Sequence, residues 1–459
     1  MKDIDTYRGK KVLVLGLGKS GFAVTKLLLK LGATVTLNDK SDLSTNEHAQ
    51  ELQKLGVTVI GGKHPVDLFE QKKFDFMVKN PGIPYENPMV VAAEKAKLPI
   101  LTEPEIALNV SSAPYVAVTG SNGKTTTVML TQQIMDHHLQ KTGHHAYAVG
   151  NIGYPISEAV LKADENDLLV VELSSFQLLG TYTIKPKVAA IVDIYPNVHL
   201  DYHKTFENYR DAKLLITQKQ DENDLFLANK DQAEILEREL ATTKAKVKTF
   251  SIKTDQADYY FKDQALYHGD QEIIKTSDVL LPGLHNMQNS LIAIAISQHM
   301  GAELDDIKAT LTTFTGAKHR LQYVMTLDGR KVYNDSKSTN IEAASVALPA
   351  FNEPEIWIAG GLDRGFVFDD LVPFIKGHVK AAVLYGESKY LLADACRKAG
   401  VETIKIVDTL QMAVPVAYSL SEAGNVILLS PACASWDQFR TFEERGDYFV
   451  SFIKELKTK

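Results

Sequence analysis

Eight residues in the first third of the chain combine glycines, hydroxyls and a lysine at a spacing suited to phosphate binding. They lie between an apolar run and a helical pattern and read TGSNGKTT from Thr119 to Thr126. Glycines permit a tight turn in which backbone N–H groups and a helix N-terminus point at an anion. Lys124 would then contact the β- and γ-phosphates of a nucleotide, and the Thr125 hydroxyl would bind Mg²⁺. The alternative is an ordinary glycine turn, since Gly-x-x-Gly-Lys-Thr is two residues shorter than the usual phosphate loop. The residues predicted to bind the nucleotide are Gly120, Ser121, Asn122, Gly123, Lys124, Thr125 and Thr126.

A second glycine motif lies close to the N-terminus. Gly16, Gly18 and Gly21 follow a short apolar run with the spacing G-x-G-x-x-G, and Asp39 ends the next apolar run. A dinucleotide-binding fold places a phosphate-binding turn and a ribose-binding acid at these positions. The motif alone therefore predicts a nucleotide such as NAD. The competing interpretation is a tight strand-to-helix turn in which glycine allows close packing.

One carboxylate and one histidine are candidates for metal binding near the phosphate loop. Glu172 ends an apolar run, and a carboxylate at the carboxyl end of a parallel strand can hold Mg²⁺ directly or through water. The alternative for Glu172 is a solvent-exposed strand end. His199 and His203 are four residues apart but lack the glutamate of the H-E-x-x-H zinc motif. We therefore expect a single histidine beside a Mg-nucleotide site rather than catalytic zinc.

Three segments in the last third of the chain combine small residues with hydroxyls or a cation at expected strand ends. They are 334–340, 360–365 and 430–437. Ligands of parallel α/β sheets bind at the carboxyl ends of the strands, so Lys337, Arg364 and Ser435 could bind a carboxylated substrate. Taken singly, each segment could instead be a capped helix start.

Short apolar runs alternate with helical patterns along the chain, and this alternation positions the motifs. Strands are predicted at 11–15, 34–37, 57–60, 115–118, 168–172, 188–192, 355–359, 381–384, 402–407 and 426–429, and helices at 21–31, near 47–55 and at 289–298. Such strand–helix–strand units form parallel sheets. The segments 224–228 and 246–251 and the polar stretch 255–269 are expected to form smaller β-elements or excursions. The turn-rich segment 80–88 indicates a first domain boundary, and a third unit is expected to start near Arg320.

Length and composition agree with three consecutive α/β domains. At about 150 residues per domain, a chain of 459 residues predicts roughly three. The net charge of −7, without a long basic run, argues against nucleic-acid partners. Two distant cysteines, Cys396 and Cys433, offer neither a disulfide framework nor a cysteine metal cluster. We recognise no signal peptide and no apolar run near the roughly 20 residues of a membrane span, so a cytoplasmic protein without membrane contact is expected.

The motifs, taken in their order, resemble those of the Mur ligase family, the ATP-dependent amide-forming enzymes of peptidoglycan synthesis. The family motifs are TGSNGKTT at 119–126, ELSSFQL at 172–178, LPGLHNMQN at 281–289, HR at 319–320 and NDSKSTN at 334–340. Other motifs resemble the branch that adds D-glutamate: GLGKSG at 16–21, NPGIP at 80–84, GNIG at 150–153 and SPACASWDQFRTFEERG at 430–446. Trp436 and Arg364 depart from commoner versions, in which a lysine is often found in place of the arginine.

This resemblance implies an α/β fold of three domains and replaces the NAD interpretation. An N-terminal Rossmann-like domain (1–102) would bind the UDP of the substrate, and a central P-loop ATPase-like parallel sheet (103–316) would bind ATP. A C-terminal Rossmann-like domain (317–459) would bind D-glutamate. The residues implied to bind the UDP-substrate are Lys19, Ser20, Asp39, Asn80 and Gly82. Those implied to bind ATP beyond the phosphate loop are Asn286, Asn289, Arg320 and Asp335.

The resemblance also implies a two-step reaction. The carboxylate of UDP-N-acetylmuramoyl-L-alanine attacks the γ-phosphate of ATP, and the amine of D-glutamate then displaces phosphate from the acyl phosphate. Two Mg²⁺ ions are implied, one held by Thr125 and Glu172 and one by His199 and a carbamate on Lys213. The implied catalytic residues are Lys124, His199, Lys213 and Lys337. Asn151 would orient the acyl carboxylate, and the D-glutamate pocket would contain Lys337, Thr339, Arg364, Ser435 and Phe442. A monomer is expected.

Three other functions are alternatives. A folylpolyglutamate synthetase also joins glutamate through an acyl phosphate, but it is expected to begin with its ATP domain rather than with a GLGKSG domain. A nucleotide-binding regulatory protein would use the phosphate loop as a switch, and would hydrolyse ATP slowly whether or not a UDP-sugar is present. An NAD-dependent dehydrogenase would bind NADH.

Overall fold

The computed structural model describes residues 1–2, 5–196 and 198–457, and its first sheet is wholly parallel. The strands are β1 (Lys11–Leu15), β2 (Thr34–Asn38), β3 (Thr58–Ile60), β4 (Phe76–Lys79) and β5 (Ile100–Leu101), in the order β3-β2-β1-β4-β5. The helices are α1 (Lys19–Lys30), α2 (Glu47–Lys54), α3 (Leu68–Gln71), α4 (Pro88–Lys95) and α5 (Glu103–Val110). β1 and β4 are almost entirely buried because helices cover both faces of the sheet.

Helix starts in this region follow local capping chemistry. The Asn46 side chain accepts a hydrogen bond from the Ala49 N–H at the start of α2. At the start of α4, Asn87 accepts from the Met89 N–H, and Pro88 occupies the first helical position. Both residues supply an acceptor to backbone donors that the helix itself leaves unpaired.

The second sheet holds the phosphate-loop motif. Its strands are β6 (Tyr115–Thr119), β7 (Ala146–Gly150), β8 (Leu168–Glu172), β9 (Val188–Ile191), β10 (Leu225–Asn229), β11 (Lys246–Ser251), β12 (Tyr259–Lys262), β13 (Ala265–His268) and β14 (Gln271–Lys275). Their order is β14-β13-β12-β11-β10-β9-β6-β8-β7. The helices are α6 (Lys124–Gln140), α7 (Ile156–Ala159), α8 (Ser175–Leu178), α9 (Leu200–His203), α10 (Phe206–Leu214), α11 (Ala233–Thr242), α12 (Leu284–His299) and α13 (Leu304–Leu311).

The second sheet is mixed rather than uniformly parallel. Neighbouring strands pair in parallel along the part of the sheet ordered β7-β8-β6-β9-β10-β11-β12, whereas β12 and β13 form an antiparallel hairpin. The turn between them consists of Asp263 and Gln264, both with positive φ, which is the conformation of a tight two-residue hairpin turn. This hairpin accounts for the polar stretch that the sequence assigns to smaller β-elements.

The third sheet lies in the last third of the chain. Its strands are β15 (Gln322–Leu327), β16 (Arg330–Asn334), β17 (Glu355–Gly360), β18 (Val379–Tyr385), β19 (Thr403–Ile406) and β20 (Val426–Leu429), in the order β15-β16-β20-β17-β18-β19. Only β15 and β16 pair antiparallel among the described strands of this sheet. The helices are α14 (Ile341–Ala347), α15 (Val372–Ile375), α16 (Lys389–Lys398), α17 (Leu410–Leu420) and α18 (Phe442–Lys457).

The chain forms two compact units. The first contains residues 1–274 and 288–310, and the second contains residues 275–287 and 311–459. Within the first unit, one apolar core includes residues of both the first and the second sheet, among them Val14 and Val171. Buried polar contacts also join the two sheets, because the Ser157 N–H donates to the Glu103 carboxylate and the Thr102 N–H to the Gly180 carbonyl.

Two expected helix starts differ from the structure. α1 begins at Lys19 rather than at Gly21, since Gly18 already occupies the cap position. α12 begins at Leu284, five residues before the expected Asn289. Within residues 1–2, 5–196 and 198–457, no helix has the length and apolar character needed to cross a bilayer.

Candidate active site

The turn between β6 and α6 has the backbone geometry of an anion-binding loop. Gly120 has a φ of +158° and Gly123, which caps α6, has a φ of +73°. A Cβ atom on Gly123 would lie 2.4 Å from Asn289 Oδ1, and one on Gly120 would lie 2.9 Å from Val192 Cβ. Any side chain would therefore displace its neighbours at both positions. The loop must be built from glycine there.

Asp193 fixes this loop from the end of the neighbouring strand β9. Its backbone carbonyl accepts from the Ser121 N–H at 2.9 Å, and its Oδ1 accepts from the Asn122 N–H at 2.8 Å. Burial raises the pKa of the Asp193 carboxyl, although the Asn122 amide and the Lys124 charge oppose the increase. No motif in the sequence singles out Asp193. An acid directly after an apolar run, as at Glu172, was the available signal.

Two lysines converge on one carbonyl oxygen of the loop. Lys124 Nζ donates to Gly120 O at 2.8 Å and to Ser121 O at 2.9 Å. Lys213, from α10, donates to the same Gly120 oxygen at 2.6 Å, and its side chain is 2% exposed. Burial and the neighbouring Lys124 charge lower the pKa of Lys213 well below its usual value. The loop is therefore a cationic centre that a bound anion would stabilise.

Glu172 supplies a buried carboxylate at the end of β8. Its Oε1 accepts from Asn151 Nδ2 at 2.9 Å, whereas its Oε2 is buried and has no hydrogen-bond partner among the described residues. A buried carboxylate oxygen without a donor is unfavourable unless a cation or a ligand satisfies it. Thr125 lies in the first turn of α6, at the start of the helix that the loop caps.

The two histidines of the candidate metal region are in different environments. His199 precedes α9 with a φ of +53° and is exposed, and its pKa is lowered by partial desolvation and by the Lys213 charge. His203 is buried, its Nε2 lies 2.9 Å from Ser175 Oγ, and burial lowers its pKa to about 4. Its ring also stacks on Phe176. His203 is thus a neutral packed residue, and His199 is the histidine that solvent can reach.

The glycine turn after β1 and the turn after β4 pack against each other. A Cβ on Gly16 would lie 2.9 Å from Asn80 Cβ, and one on Gly18 would lie 2.7 Å from Asn80 Nδ2. Asn80 Oδ1 accepts from the Gly82 N–H at 3.3 Å. The structure therefore brings together, in the first sheet, the two turns that the family resemblance implies for the UDP-substrate.

Asp39 is bound to the same glycine turn. Its Oδ2 accepts from the Leu17 N–H at 2.8 Å and its Oδ1 from the Ser41 N–H at 2.9 Å. Burial alone would raise the pKa of Asp39, but these two donors outweigh it and the pKa is lowered. Lys19 and Ser20 lie in the first turn of α1, beside this turn.

In the second unit, Asp335 is a buried acid at the carboxyl end of β16. It accepts from the Leu321 N–H at 3.1 Å, from Ser338 Oγ at 2.5 Å and from Ser430 Oγ at 2.9 Å. Burial nevertheless raises the pKa of Asp335 to about 6. The nearby Arg320 charge favours the ionised form.

Arg445 joins the segments that the sequence assigns to the acceptor. It is fully buried and donates to Ser336 Oγ at 2.9 Å, to Ser336 O at 2.7 Å and to Cys433 O at 2.9 Å. Ser336 Oγ in turn donates to Phe442 O at 2.7 Å. Arg445 lies in the motif at 430–446, which does not by itself indicate a role for the arginine. A charge inside an otherwise helical pattern could not show which backbone carbonyls it would reach.

Among the expected acceptor residues, Lys337 and Phe442 lie together. Lys337 Nζ is 4.6 Å from the centroid of the Phe442 ring. Ser435 is buried in the loop after β20, and Arg364 lies over the Phe366 ring at 5.4 Å. Thr339 directly precedes Asn340, which caps α14.

The residues expected to bind ATP beyond the loop are divided between the units. Asn289 lies in the first unit, where its Oδ1 accepts from Thr127 Oγ1 at 3.2 Å. Asn286, Arg320 and Asp335 lie in the second unit, where Asn286 Nδ2 donates to Pro282 O at 2.6 Å.

Strand, glycine loop and helix together define an α/β protein of the phosphate-loop class. Three sequence models of one family match this chain: "Mur ligase MurD-like, N-terminal domain" at residues 10–102, "Mur ligase middle domain" at 118–297 and "Mur ligase, glutamate ligase domain" at 319–433. The chain belongs to the Mur ligase family. The family resemblance and the three-domain α/β fold expected from the sequence are confirmed.

Known proteins resemble the chain over its whole length. It is 71% identical to the UDP-N-acetylmuramoylalanine–D-glutamate ligases of Lactobacillus acidophilus and Lactobacillus helveticus, with 100% of each chain covered. The structure of the UDP-N-acetylmuramate–alanine ligase MurC from Thermotoga maritima has a TM-score of 0.58 at 19% identity and covers 98% of this chain and 100% of its own. A MurF ligase from Thermotoga maritima, solved in complex with ADP, has a TM-score of 0.55 at 15% identity and covers 99% of this chain and 98% of its own. The two solved structures show the shared fold.

Proposed function

We propose that this protein is an ATP-dependent ligase that joins D-glutamate to UDP-N-acetylmuramoyl-L-alanine, in the cytoplasmic synthesis of peptidoglycan precursors. The observation that carries the proposal is the convergence of Lys124 and Lys213 on Gly120 O. The charge of Glu172 acts on Lys213, and the Oε2 of Glu172 is buried without a hydrogen-bond partner among the described residues. This arrangement suits transfer of a phosphoryl group. The substrates are inferred from the names of the 71% identical relatives, which are UDP-N-acetylmuramoylalanine–D-glutamate ligases.

The first step joins two anions, so the site must reduce their repulsion. A substrate carboxylate oxygen attacks the γ-phosphorus of ATP, the bond to the β-phosphate oxygen breaks, and an acyl phosphate and ADP form. Two unit charges about 4 Å apart repel by about 4 kcal/mol at an effective dielectric constant of 20. Lys124 offsets this repulsion at the γ-phosphate, and the N-terminus of α6 holds the phosphates, because the Ser121 and Asn122 N–H groups already donate to Asp193. Asp193 keeps the loop in this conformation.

The donor set also suits Mg²⁺. Thr125 and Glu172 would hold one ion, and the buried unpartnered Oε2 of Glu172 is the observation that fits it. His199 and a carbamate on Lys213 would hold a second. When bound, Mg²⁺ supplies positive charge that stabilises the transferring phosphoryl group.

Lys213 is suited to carbamate formation because its amine is buried and its pKa is strongly lowered. A neutral amine is the form that reacts with CO₂, and the reaction replaces a cation by an anion with oxygen ligands. We expect Lys213→Ala to be nearly inactive and a short carboxylic acid in solution to restore part of the activity. A neutral amide of equal size should not restore it. Full activity of Lys213→Ala would exclude the role.

In the second step the D-glutamate nitrogen attacks the acyl carbon, phosphate leaves, and the nitrogen loses a proton. Asn151 would orient the acyl group, and the acceptor site would consist of Lys337, Thr339, Arg364, Ser435 and Phe442. The UDP-substrate would bind Lys19, Ser20, Asp39, Asn80 and Gly82, and ATP would also bind Asn286, Asn289, Arg320 and Asp335. The corresponding domains are 1–102, 103–316 and 317–459. We further propose a monomer, which light scattering in solution tests.

The decisive experiment measures phosphate release from ATP with UDP-N-acetylmuramoyl-L-alanine and each of four acceptors. We expect release with D-glutamate and much less with L-glutamate, D-aspartate or L-lysine. Release with a folate acceptor but not with the UDP-substrate would instead identify a folylpolyglutamate synthetase. Slow ATP hydrolysis that is unaffected by the UDP-substrate would identify a nucleotide-dependent regulator.

A further inference from the structure

A buried lysine at the end of β4 connects the turn after β4 to helix α9, and both lie in the first unit. Lys79 is the last residue of β4 and is fully buried. Its Nζ donates to Ile83 O at 2.6 Å and to Pro81 O at 3.3 Å, both in the turn that follows β4. It also donates to Tyr202 Oη, on α9, at 3.1 Å. One ammonium thus binds two separate segments.

Two aromatic rings and another carbonyl complete the surroundings of this ammonium. Nζ lies 4.8 Å from the centroid of Tyr85 and 5.7 Å from that of Tyr202, and Asn80 O is 3.5 Å away. No carboxylate forms an ion pair with Lys79 in the part of the chain that the structure describes. Carbonyl oxygens, a phenol and aromatic faces therefore stabilise the charge. Burial lowers the pKa of Lys79 only to about 8, so the cation persists at neutral pH.

Both segments bound by this ammonium lead to residues of the proposed reaction. The turn contains Asn80 and Gly82, which are proposed to contact the UDP-substrate. Tyr202 lies three residues after His199, and the Phe176 ring packs against both Tyr202 and His199, with centroids 4.6 and 4.9 Å apart. A shift of Lys79 would therefore move the substrate turn and the His199 segment together.

We propose that Lys79 is a positioning residue. Its ammonium group fixes the substrate-binding turn 80–83 relative to α9, the helix that follows His199. The inference rests on the proposed function, since it concerns the use of that same site. The environment of Nζ resembles one that a small ammonium ion or a potassium ion could occupy, because it offers carbonyl and hydroxyl oxygens at hydrogen-bond distance. It follows that an added cation should replace the missing side chain.

The test compares Lys79→Met, which keeps most of the side-chain volume, with Lys73→Met, an exposed lysine three residues before β4. Lys79→Met should raise the KM for the UDP-substrate about tenfold or more and lower kcat, because a hydrogen-bonded charge is lost. The KM for ATP should change little, and Lys73→Met should behave as the wild type. A Lys79→Met protein that melts at a lower temperature but keeps the wild-type KM and kcat would overturn the proposal.

Rescue separates positioning from a purely structural role. Lys79→Ala lacks the atoms from Cγ to Nζ, which propylammonium reproduces. Propylammonium should lower the raised KM of Lys79→Ala several-fold, whereas 1-propanol at the same concentration should not. Equal effects of the two additives would contradict the cation role. Where Lys79→Ala does not fold, Lys79→Met decides the question. If the wild type itself shows no D-glutamate-dependent phosphate release, the proposed function fails instead.

Discussion

Lys124 and Lys213 bring two amino groups close together at the phosphate loop, so a positive charge on both is unfavourable unless an anion is bound. Their Nζ atoms both donate to the Gly120 oxygen, and burial together with the Lys124 charge lowers the pKa of Lys213. Removing water from such a pair costs stability, which a bound phosphate or a change in the charge of Lys213 recovers. The residue pair therefore links the two proposed events at this loop, nucleotide binding and carbamate formation.

Lys124→Ala should abolish acyl-phosphate formation while leaving UDP-substrate binding nearly intact, because the lysine lies at the phosphate loop and not at the turns of the first sheet. We expect phosphate release to fall by about two orders of magnitude or more. Calorimetric titration with the UDP-substrate should give a Kd close to that of the wild type. Lys141→Ala, at the other end of α6, is the matched control and should remain active. Near-normal turnover by Lys124→Ala would contradict the ATP site.

Glu355 should make the second unit less stable as the pH rises. The residue begins β17, is fully buried, and neither of its carboxyl oxygens has a hydrogen-bond partner among the described residues. Burial, with a smaller effect of Glu353, raises its pKa to about 9. Between pH 4.5 and 9 the unfolded chain releases this proton and the folded chain keeps it. The contribution of Glu355 to the free energy of unfolding is therefore largest below pH 4.5. It decreases by at most about 1.4 kcal/mol per pH unit as the pH rises towards 9.

Urea unfolding at pH 6 and pH 8 measures this effect. We expect Glu355→Gln to lose less stability between the two pH values than the wild type does, because glutamine does not titrate. Glu402→Gln changes an exposed carboxylate and serves as the control. Identical pH dependence in the wild type and in Glu355→Gln would show that this carboxyl group is ionised in the folded protein.

At the scale of elements, the hydrophobic pattern predicted the strands well and the helix ends less well. β8 and β20 run over the residues that apolar runs indicate, since burial on both faces produces continuous apolar segments. The start of α12 at Leu284 was missed because its first turn, LHNMQ, combines polar residues that carry no helical periodicity. The β12–β13 hairpin depends on two residues with positive φ, which composition does not reveal.

The glycine loops were predictable for a different reason. Spacing alone indicates Gly120 and Gly123, because their conformations exclude a Cβ atom. Contacts between distant segments were not predictable in this way. Asp193 binding to the loop, Arg445 binding to Ser336 and Lys79 binding to Tyr202 each depend on how separate elements pack.

Asp39 tests the connection between β2 and the glycine turn. Asp39→Ala removes the acceptor for the Leu17 N–H, so the turn should lose its orientation and the KM for the UDP-substrate should rise more than the KM for ATP. Steady-state kinetics with each substrate varied in turn measures both values. Asp42→Ala, whose side chain accepts from the local Ser44 N–H, should leave both unchanged. Equal increases for the two substrates in Asp39→Ala would mean that the first sheet has another role.

At the scale of the whole molecule, three sheets form two compact units. The first and second sheets share one apolar core, and Glu103, directly after the expected boundary at residue 102, is buried against Ser157. The glycine turns of the first sheet and the phosphate loop are therefore parts of one compact unit.

The distribution of tryptophan gives the second unit its own optical signal. The chain has two tryptophans, Trp357 and Trp436, and both belong to that unit. Trp357 is fully buried with its indole N–H bound to Ser430 O, so its emission should be blue-shifted and protected from acrylamide. Trp436 is 66% exposed and follows Ser435 directly, so its emission should be red-shifted and easily quenched. If the acceptor binds beside Ser435, D-glutamate but not L-glutamate should reduce the acrylamide quenching of the Trp436 emission. An unchanged quenching curve in the presence of saturating D-glutamate, ATP analogue and UDP-substrate would place the acceptor away from this loop.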